Sequence, residues 1–389
     1  MQKKKFLLIH YSINKKDRWG RIFPLARALA KQNFDVTLLT SANKEQKCFL
    51  FAHDYVDGVK IISFKDIIPY KFLTKGLGLL SFISRIVYVI LHRFDYVYSD
   101  CGELPNAGWP CKVNQWFYKS KYISEWGDLI GRGGFYDRKP TWFKIFLGKY
   151  YLWADLYFRR SADIVIVLSD HMRKYAESRG IPKDKIIVIS GGAPCDIIPY
   201  VKPFKSSKIK GVIVFGYIGI DNNEILDLLP LISVIQESKY RGKFRIAAAG
   251  KKISKEIMSK YDLQDILMEL GWLDFSKEFY KWQCVDIFLL IKTNFKRSSA
   301  GWPNKLGDYL SIGRPIMVNL YGDVEKFVAE NSEGFIQISL DKNKIRQQLD
   351  NILSKKFNIE IMGLMNRRVA EEKMSWDFKV KQFVKILES

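Results

Sequence analysis

The most informative segment of the chain runs Pro303-Asn304-Lys305-Leu306-Gly307-Asp308-Tyr309-Leu310-Ser311-Ile312-Gly313-Arg314-Pro315. Pro303 suits the first position of a helix, where no backbone N–H is needed for an intrahelical hydrogen bond. Gly313 suits a left-handed cap at the end of a helix, and Pro315 prevents the helix from continuing. The segment therefore predicts a short helix that begins at Pro303 and ends before Gly313.

The start of this predicted helix has the features of an anion-binding site. The free N–H groups of its first turn attract negative charge, and Lys305 adds a full positive charge beside them. Asn304 and Asp308 are four residues apart, so they share one face of the helix. A phosphate near Lys305 and a sugar hydroxyl near Asp308 fit this pattern together, which indicates a nucleotide sugar as the ligand. The alternative is an ordinary capped helix at the protein surface.

The composition is that of a folded and strongly basic protein. The 389 residues suffice for two domains, and a hydrophobic content of 48% argues against a disordered chain. The formal net charge of +22 favours anionic partners, namely nucleic acid, anionic lipid or phosphorylated substrates. The sequence has an odd number of cysteines, five, and no Cys-x-x-Cys motif. We therefore expect a reducing compartment and neither a disulfide framework nor a zinc site.

The beginning of the sequence has some features of a signal peptide, since basic residues precede a short apolar run at residues 6–9. The run is too short, no small-residue cleavage site follows it, and further charged residues come at once. We therefore interpret it as a first buried strand and expect a cytoplasmic protein.

Two segments of the N-terminal half suit a membrane surface. Residues 71–93 are mainly apolar, but Lys75 and Arg85 interrupt them, so they make a poor membrane-spanning helix. Residues 142–160 interleave aromatic and basic side chains, as helices at a lipid interface do. An anionic membrane surface is therefore a candidate partner of the N-terminal domain. The alternative is that both segments are core-facing helices with a solvated basic face.

Strand and helix patterns alternate along the chain. Short β-branched or apolar runs, most of them followed by a helical pattern, predict parallel strands covered by helices on both faces. In the first half the runs are residues 6–10, 35–40, 59–63, 96–99, 121–124, 164–168 and 186–189. In the second half they are residues 211–219, 244–250, 285–291, 315–320 and 334–338.

A domain boundary is predicted between these two series. The glycines and proline of residues 191–194 and the lysine-rich residues 199–211 interrupt the pattern there. We expect an N-terminal α/β domain of residues 1–200 and a C-terminal α/β domain of residues 201–373. Ligands of such sheets bind at the strand ends, which predicts a cleft between the two domains. Apolar residues spaced along 376–387 predict a final helix.

The order of these motifs resembles the two-domain GT-B fold and, within it, glycosyltransferase family 4. Residues 303–315 resemble the donor-binding helix of that family and are the specific match. Weaker matches gain weight from their order, and they are residues 34–41, 162–169, 187–193 and 215–219. The resemblance covers essentially the whole chain. It implies two Rossmann-like domains that face a central cleft, the first for the acceptor and the second for the donor, with residues 374–389 crossing back onto the first.

For the donor site, the resemblance implies roles for individual residues. Asp308 falls on the second acid of the family's paired-acid motif, which holds the ribose. Ala300 stands in the place of the first acid, so this half of the motif is missing. Asn304, Lys305 or Arg297 would then hold the sugar ring instead.

Four further residues are candidates for donor binding. Gly20 and Gly219 lie in loops after the first strand of each domain, where glycine lets a ligand approach the backbone. Lys251 follows a predicted strand near the expected diphosphate, and Trp272 stands where the family reads the base. A solvated turn at Lys251 and simple core packing of Trp272 are the alternatives.

On the acceptor side, charged residues follow the predicted strands of the N-terminal domain. Arg18 and Arg21 suit a phosphorylated acceptor or the departing diphosphate. The family often has a histidine after its fifth strand, whereas this chain has Glu125 and Asp128 there, which can orient acceptor hydroxyls. Asp128 can equally cap a turn. Arg132 lies in the glycine-rich loop that follows and is a further acceptor candidate.

These features predict a glycosyltransferase that moves a hexose from a nucleotide diphosphate sugar to a glycan or lipid-linked acceptor, in the synthesis of a cell-surface polysaccharide or glycolipid. The resemblance implies retention of the anomeric configuration. Glu125, Asp128 and Lys305 are the candidate catalytic residues, the last because its charge stabilises the leaving diphosphate. No Asp-x-Asp motif occurs, so we expect a metal-independent reaction and, since the nucleotide sugar is a co-substrate, no cofactor.

Two other classes of protein stay open. A sugar-nucleotide epimerase or a phosphorylase on the same fold would release free sugar or require phosphate instead of a sugar acceptor. A non-catalytic basic protein would bind nucleic acid or membrane and would lack a nucleotide-sugar site. For the enzyme we expect no nucleic-acid partner.

Overall fold

The computed structural model of the protein describes residues 3–13, 20–42, 50–66, 76–202, 211–273, 278–293, 298 and 300–388. Contacts within the chain divide it into two compact units. The first comprises Met1–Ser190, Ala300–Trp302 and Trp376–Ser389, and the second comprises Gly191–Ser299 and Pro303–Ser375. The first unit is thus assembled from three separate stretches of the chain.

A sheet of eight strands forms the centre of the first unit, as far as the chain is described. Its strands are β1 (Lys5–Ile13), β2 (Asp35–Ser41), β3 (Phe51–Val56), β4 (Val59–Phe64), β5 (Tyr96–Ser99), β6 (Lys121–Trp126), β7 (Ile164–Val167) and β8 (Ile186–Val188). Their spatial order is β3-β4-β2-β1-β5-β6-β7-β8, and β3 alone is antiparallel to its neighbour. The near-continuous apolar runs of the parallel strands are typical of a sheet that is buried on both faces.

Helices cover both faces of this sheet. They are α1 (Ile22–Lys31), α2 (Leu79–Leu91), α3 (Pro105–Tyr118), α4 (Thr141–Phe146), α5 (Gly148–Arg160) and α6 (Asp170–Ser178). Side chains alternate along a strand, so Phe6 and Leu8 of β1 pack with α1 on one face. Leu7 and Ile9 pack with α2, α3, α5 and α6 on the other face.

The antiparallel strand β3 is a correction to the predicted strands, which omit it. Its residues alternate between exposed and half-buried, so the strand lacks the apolar run by which the others were found. The turn to β4 offers a different signal. Asp57 and Gly58 both have positive φ values, 51° and 82°, which is the geometry of a two-residue hairpin turn.

The second unit is built around a parallel sheet of six described strands. They are β9 (Ile213–Ile220), β10 (Phe244–Gly250), β11 (Leu267–Gly271), β12 (Ile287–Leu290), β13 (Ile316–Val318) and β14 (Phe335–Gln337), and their spatial order is β11-β10-β9-β12-β13-β14. The edge strand β11 was not predicted, because buried and accessible residues alternate along it. The prediction of two α/β sheets that are mainly parallel is confirmed.

Seven helices of the second unit are described. They are α7 (Glu224–Asp227), α8 (Leu229–Ile235), α9 (Lys255–Lys260), α10 (Asn304–Ile312), α11 (Gly322–Glu330), α12 (Lys342–Leu353) and α13 (Ile359–Val369). Helices α8 and α12 pack with β9, β10 and β12 in one hydrophobic core. Across the described parts of both units, every helix is too short or too polar to cross a membrane.

The predicted final helix is present as α14 (Trp376–Glu388) and belongs to the first unit. Trp376, Val380, Phe383 and Leu387 recur at helical spacing and are buried in the same core as α1. The ring of Phe383 lies 6.4 Å from that of Phe6 on β1, measured between centroids. This helix therefore completes the cover of one face of the first sheet.

Candidate functional site

Helix α10 begins one residue later than predicted. Pro303 has φ −73° and ψ 103°, so it stands before the helix as its cap, and Asn304 is the first helical residue. The extended conformation is available to a proline, whose φ is fixed while its ψ is not. Gly313 has φ 77° and ends the helix in the left-handed conformation, as predicted.

Helix α10 is fixed tightly within the second unit. A methyl group at Gly307 would lie 2.2 Å from the carbonyl oxygen of Gly192, so the close contact requires glycine. The Tyr309 hydroxyl accepts a hydrogen bond from the Ile218 N–H of β9 at 3.1 Å. It donates one to the carbonyl oxygen of Leu289 on β12 at 3.2 Å. These contacts hold the helix at the carboxyl ends of the two central strands.

Lys305, in the first turn of α10, lies in a cluster of charged side chains. Its Nζ is 2.9 Å from Oε2 of Glu224 and 2.8 Å from the Tyr217 hydroxyl, and it lies 4.0 Å from the centroid of the Tyr217 ring. Lys292, which follows β12, reaches the same Glu224 oxygen at 2.7 Å and Oδ2 of Asp227 at 3.1 Å. We name these five residues, Tyr217, Glu224, Asp227, Lys292 and Lys305, the lysine cluster.

The charges of the lysine cluster perturb one another. Burial lowers the pKa of Lys305 to about 8, although the neighbouring Glu224 carboxylate favours its charged form. Burial also raises the pKa of Glu224, but the positive charges of Lys305 and Lys292 outweigh this effect and lower the pKa to about 2. Glu224 is therefore ionised at neutral pH and is shared by two lysines.

Sequence reasoning singled out Lys305 alone among these residues. Glu224 and Asp227 begin and end the short helix α7, which follows β9, and Lys292 directly follows β12. Charged residues just after neighbouring parallel strands come together at one edge of the sheet. Glu224 and Lys292 could have been found by their positions after predicted strands. Their proximity could not, because it requires the knowledge that β9 and β12 are neighbours in the sheet.

The other predicted donor residues of the second unit also follow strand ends or lie on α10. Asn304 is exposed and Asp308 is half-buried, one turn apart on the helix. Gly219 near the end of β9 has φ 79° and is exposed, with open space where a side chain would stand. Lys251 follows β10 and Trp272 follows β11, and both are exposed. The structure thus gathers these residues at the carboxyl edge of the second sheet.

Ala300, which stands in place of the missing first acid, is buried in the first unit. It packs in the core on the side of α2, α3 and α5. Its carbonyl oxygen accepts a hydrogen bond of 2.7 Å from the Ser169 hydroxyl. An acidic side chain at this position would be buried, so the apolar alanine fits its surroundings.

Arg21 and Glu125, which were predicted as acceptor ligands, form a buried ion pair with each other. Arg21 Nε lies 2.9 Å from Oε2 of Glu125, and Nη1 donates to the Ser190 carbonyl oxygen at 3.0 Å. The Tyr98 hydroxyl donates to the same carboxylate, and the Trp376 ring lies against the guanidinium. This geometry does not support a direct contact of either residue with an acceptor, because their polar atoms are occupied inside the protein.

Asp128 is an accessible carboxylate just beyond β6. Its side chain is exposed at one side, and its Oδ1 lies so close to Gly301 that a methyl group there would be 2.6 Å away. Displacement of water by the surrounding protein, together with the carboxylates of Glu125 and Glu103, raises the pKa of Asp128 to about 6. At neutral pH it is ionised and can accept hydrogen bonds from hydroxyl groups.

The remaining predicted residues of the first unit lie in loops. Gly20 is exposed and has φ 55°, and Arg132 is exposed beyond β6. Arg18 and Arg297, the latter predicted for the donor, lie outside the described residues.

A histidine–aspartate pair lies on two neighbouring strands of the first sheet. Nδ1 of His10, on β1, is 2.5 Å from Oδ2 of Asp100, which directly follows β5. Both side chains are partly exposed. A carboxylate at Nδ1 fixes the ring and leaves Nε2 as a proton acceptor. Sequence reasoning gave His10 no role, although β1 and β5 are sheet neighbours.

A buried ionic triad lies between the loop before α3 and helix α5. Arg159 Nη2 is 2.9 Å from Oε2 of Glu103, and Arg159 Nη1 is 2.9 Å from Oδ1 of Asp155. All three side chains are buried, and the guanidinium lies 5.0 Å from the Trp126 ring centroid. Nothing in the sequence pattern pointed to this triad.

The sequence of residues 21–192 matches the family described as "Glycosyl transferase 4-like domain". This match covers somewhat less than half of the chain, and the chain as a whole has the GT-B fold. Its matched part contains the first sheet from α1 to β8. No curated protein is similar enough in sequence to give a significant match.

Solved structures resemble this chain over almost its full length at low sequence identity. Sucrose-phosphate synthase from Thermosynechococcus elongatus has a TM-score of 0.73 and 13% identity, covering 99% of this chain and 98% of that one. WaaG, a glycosyltransferase involved in lipopolysaccharide biosynthesis, has a TM-score of 0.67 and 11% identity, covering 99% and 100%. HepE from Anabaena, solved in complex with UDP and glucose, has a TM-score of 0.65 and 12% identity, covering 99% and 100%. These likenesses establish the fold of the chain.

Proposed function

We propose that the protein transfers a hexose from a nucleotide diphosphate sugar to a glycan or lipid-linked acceptor. The observation that carries this proposal is the first turn of α10, where Lys305 stands at the helix start and Asp308 one turn later on the same side. The second unit would bind the donor and the first unit the acceptor. HepE, which shares the fold, has also been solved with UDP-glucose, which supports a uridine nucleotide as the first donor to test.

The donor role follows from the charges around α10. The free N–H groups of the helix start and the ammonium group of Lys305 offer a diphosphate several donors and a positive charge. Lys292 adds a second positive charge within the same cluster. Asp308 can accept hydrogen bonds from the two ribose hydroxyls, and Gly219 leaves the backbone open to a ligand.

The same groups would promote departure of the nucleotide. Negative charge grows on the diphosphate as the bond to the sugar breaks, and a fixed ammonium group stabilises that charge without reorganisation. Lys292 and Lys305 can supply the positive charge if they exchange their carboxylate partners for the diphosphate, so we propose a reaction without a metal ion or other cofactor.

For the acceptor, the structure favours Asp128 over Glu125. Asp128 is accessible and ionised at neutral pH, so it can hold an acceptor hydroxyl. Glu125 is buried and paired with Arg21, so it acts as a positioning residue for the loop that carries Asp128. Arg132 in the same loop region adds a positive charge for a phosphorylated acceptor.

Retention of configuration is the stereochemical outcome that we propose from the family resemblance. The pair of His10 and Asp100 favours a second mechanism, in which Nε2 of His10 removes the proton from the acceptor hydroxyl and the anomeric configuration inverts. The anomeric configuration of the product, read by NMR, separates the two. Cell-surface polysaccharide or glycolipid synthesis on the cytoplasmic side is the pathway class that we propose.

Calorimetric titration with a panel of nucleotide diphosphate sugars tests the donor site. The variants Lys305→Ala and Asp308→Ala should each weaken donor binding about ten- to a hundredfold, because each loses a charge-assisted hydrogen bond. Lys344→Ala, at an exposed position of α12, is the matched control and should bind like the wild type.

Three outcomes would contradict the proposal. Unchanged affinity in folded Lys305 and Asp308 variants would remove the donor assignment. Absence of binding for every nucleotide sugar would favour a non-catalytic basic protein. Release of free sugar, or a requirement for phosphate, would favour an epimerase or a phosphorylase.

A further inference from the structure

Helix α2 exposes a continuous apolar stripe. Leu79, Ile83, Val87 and Leu91 lie four residues apart on one face of the helix, and between 49% and 70% of each residue is exposed. The charged residue of this helix, Arg85, points the other way and is buried, where it donates to the carbonyl oxygens of His10 and Asn106. A helix at the protein surface normally exposes its charged residues and buries its apolar ones, whereas α2 exposes apolar residues and buries its arginine.

Helix α4 presents a second apolar projection. Phe143 is buried and anchors the helix beside α5, whereas Ile145 and Phe146 are 70% and 78% exposed. Trp142 is also exposed. A short helix with its large side chains turned into solvent is costly in water unless another apolar surface covers it.

Exposed aromatic residues of α3 and α5 lie on the same side of the sheet as α2. Helices α2, α3 and α5 all pack on the sheet face that holds Leu7 and Ile9. Trp109 of α3 contacts both the exposed Trp116 and the exposed Trp153 of α5, with ring centroids 6.1 and 6.3 Å apart. We name the exposed apolar residues of α2, α3 and α5, and of α4, which packs against α5, the outer apolar face. They are Leu79, Ile83, Val87, Leu91, Trp116, Phe117, Trp142, Ile145, Phe146 and Trp153.

The exposed charges around the outer apolar face are mostly positive. In helices α2 to α5 and the described loops beside them, the exposed basic residues are Arg93, Lys119, Arg132, Arg138, Lys149 and Arg160, and the exposed acids are Asp95, Asp128, Asp137 and Asp163. The half-buried Lys112, Lys139 and Lys144 add to the positive charge. The acid of α5, Asp155, is buried against Arg159. Aromatic and aliphatic side chains surrounded by lysine and arginine match the chemistry of an anionic bilayer surface.

We propose that the outer apolar face docks the first unit onto an anionic bilayer, with the α2 stripe and the tip of α4 inserted at the depth of the lipid headgroups. Docking does not depend on the donor site. If the proposed transferase activity holds, docking places the acceptor-binding unit at the membrane, and the acceptor is then lipid-linked rather than a soluble glycan.

Flotation with vesicles tests the docking. The full-length protein should float with vesicles of phosphatidylcholine and phosphatidylglycerol at about 0.1 M salt and detach largely at about 1 M, where the Debye length falls from about 10 to 3 Å. Vesicles of pure phosphatidylcholine should bind at least about tenfold less protein. Equal binding to both vesicle types, or no binding to either, would overturn the proposal.

Two double variants test which residues contact the bilayer. Ile83→Ser with Val87→Ser on α2, and Ile145→Ser with Phe146→Ser on α4, should each reduce the partition coefficient at least about tenfold, because each removes two inserted apolar side chains. Ile361→Ser, at an exposed apolar position of α13 in the second unit, is the control and should float like the wild type. Unchanged melting temperature and unchanged nucleotide titration show that each variant is folded.

A second copy of the chain is the competing occupant of this face. Light scattering without lipid should give the mass of one chain. A dimer that the α2 and α4 variants dissociate would overturn the membrane assignment and make the outer apolar face a protein interface. Because flotation needs no nucleotide sugar, loss of the donor assignment would leave this result interpretable.

Discussion

The carboxyl edges of the two sheets carry similar charged residues that are partnered in opposite ways. In the first unit, Arg21 and Arg159 are buried, and both are matched by carboxylates that are equally buried. In the second unit, Lys292 and Lys305 share the Glu224 carboxylate, Lys292 also contacts Asp227, and both lysines keep part of their surface in water. Buried, matched arginines hold structure together, whereas partly accessible lysines can exchange a carboxylate partner for the phosphates of a ligand.

Arg159→Met should produce the largest effect, and it should be an effect on stability. The variant keeps the apolar stem but leaves Glu103 and Asp155 buried without their cation, which typically costs about 3–5 kcal/mol. Thermal unfolding should show a clearly lower melting temperature for the first unit, whereas nucleotide binding by the folded protein should be unchanged. Arg160→Met, at the next and exposed position, should change stability by less than about 1 kcal/mol. If the Arg159→Met protein were as stable as the wild type but had lost nucleotide affinity, Arg159 would be a ligand-binding residue and not a structural one.

The pH dependence of donor affinity should be the next largest effect. A bound diphosphate favours protonated Lys305, so above its pKa of about 8 binding must take up a proton, and affinity falls as the pH rises. Between pH 7 and pH 9 the expected loss is about tenfold, measured by calorimetry with a nucleotide diphosphate sugar. In Lys305→Met the dependence over this range should disappear. A wild-type affinity that stays constant up to pH 9 would remove Lys305 from the diphosphate site.

Glu224→Gln should produce the smallest change in donor affinity, and the sign of that change is informative. The substitution keeps the shape of the side chain while removing the charge that competes with a diphosphate for Lys305 and Lys292. Donor affinity should therefore rise about three- to tenfold at low salt, and the gain should shrink as salt increases. Glu237→Gln, which breaks a pair with Arg346 elsewhere in the second unit, serves as control. Weaker binding in Glu224→Gln would mean that this carboxylate positions the lysines for the donor.

The fold was largely predictable from sequence because most of its strands are apolar runs and because proline and glycine residues mark both ends of helix α10. Gly313 and Pro315 marked the end of α10 without any tertiary information. Strands β3 and β11 were not predicted, because they lie at sheet edges and an edge strand needs no continuous apolar run. The start of α10 was misplaced by one residue, since a proline can stand at the cap or at the first helical position.

The sites were less predictable, because they depend on which strands are neighbours. Lys305 was found from a local pattern, whereas its partner Glu224 is far away in sequence and meets it through the β9–β12 pairing. The same holds for Arg21 and Glu125, where two residues with plausible separate roles turned out to neutralise each other. Pairing of charges is a tertiary property, and a single sequence shows it poorly.

The position of α14 has a consequence for how the protein is made. The ribosome delivers Phe6 and the rest of β1 at the outset, whereas Trp376 and Phe383, which cover that strand's neighbourhood, emerge after the entire second unit. Until α14 is synthesised, one side of the first sheet thus lacks its last helix, whereas the last described strand of the second unit, β14, ends at Gln337, before α14 begins. We expect the nascent first unit to be a target for chaperones until α14 leaves the exit tunnel, and the second unit to be the earlier one to become protease-resistant.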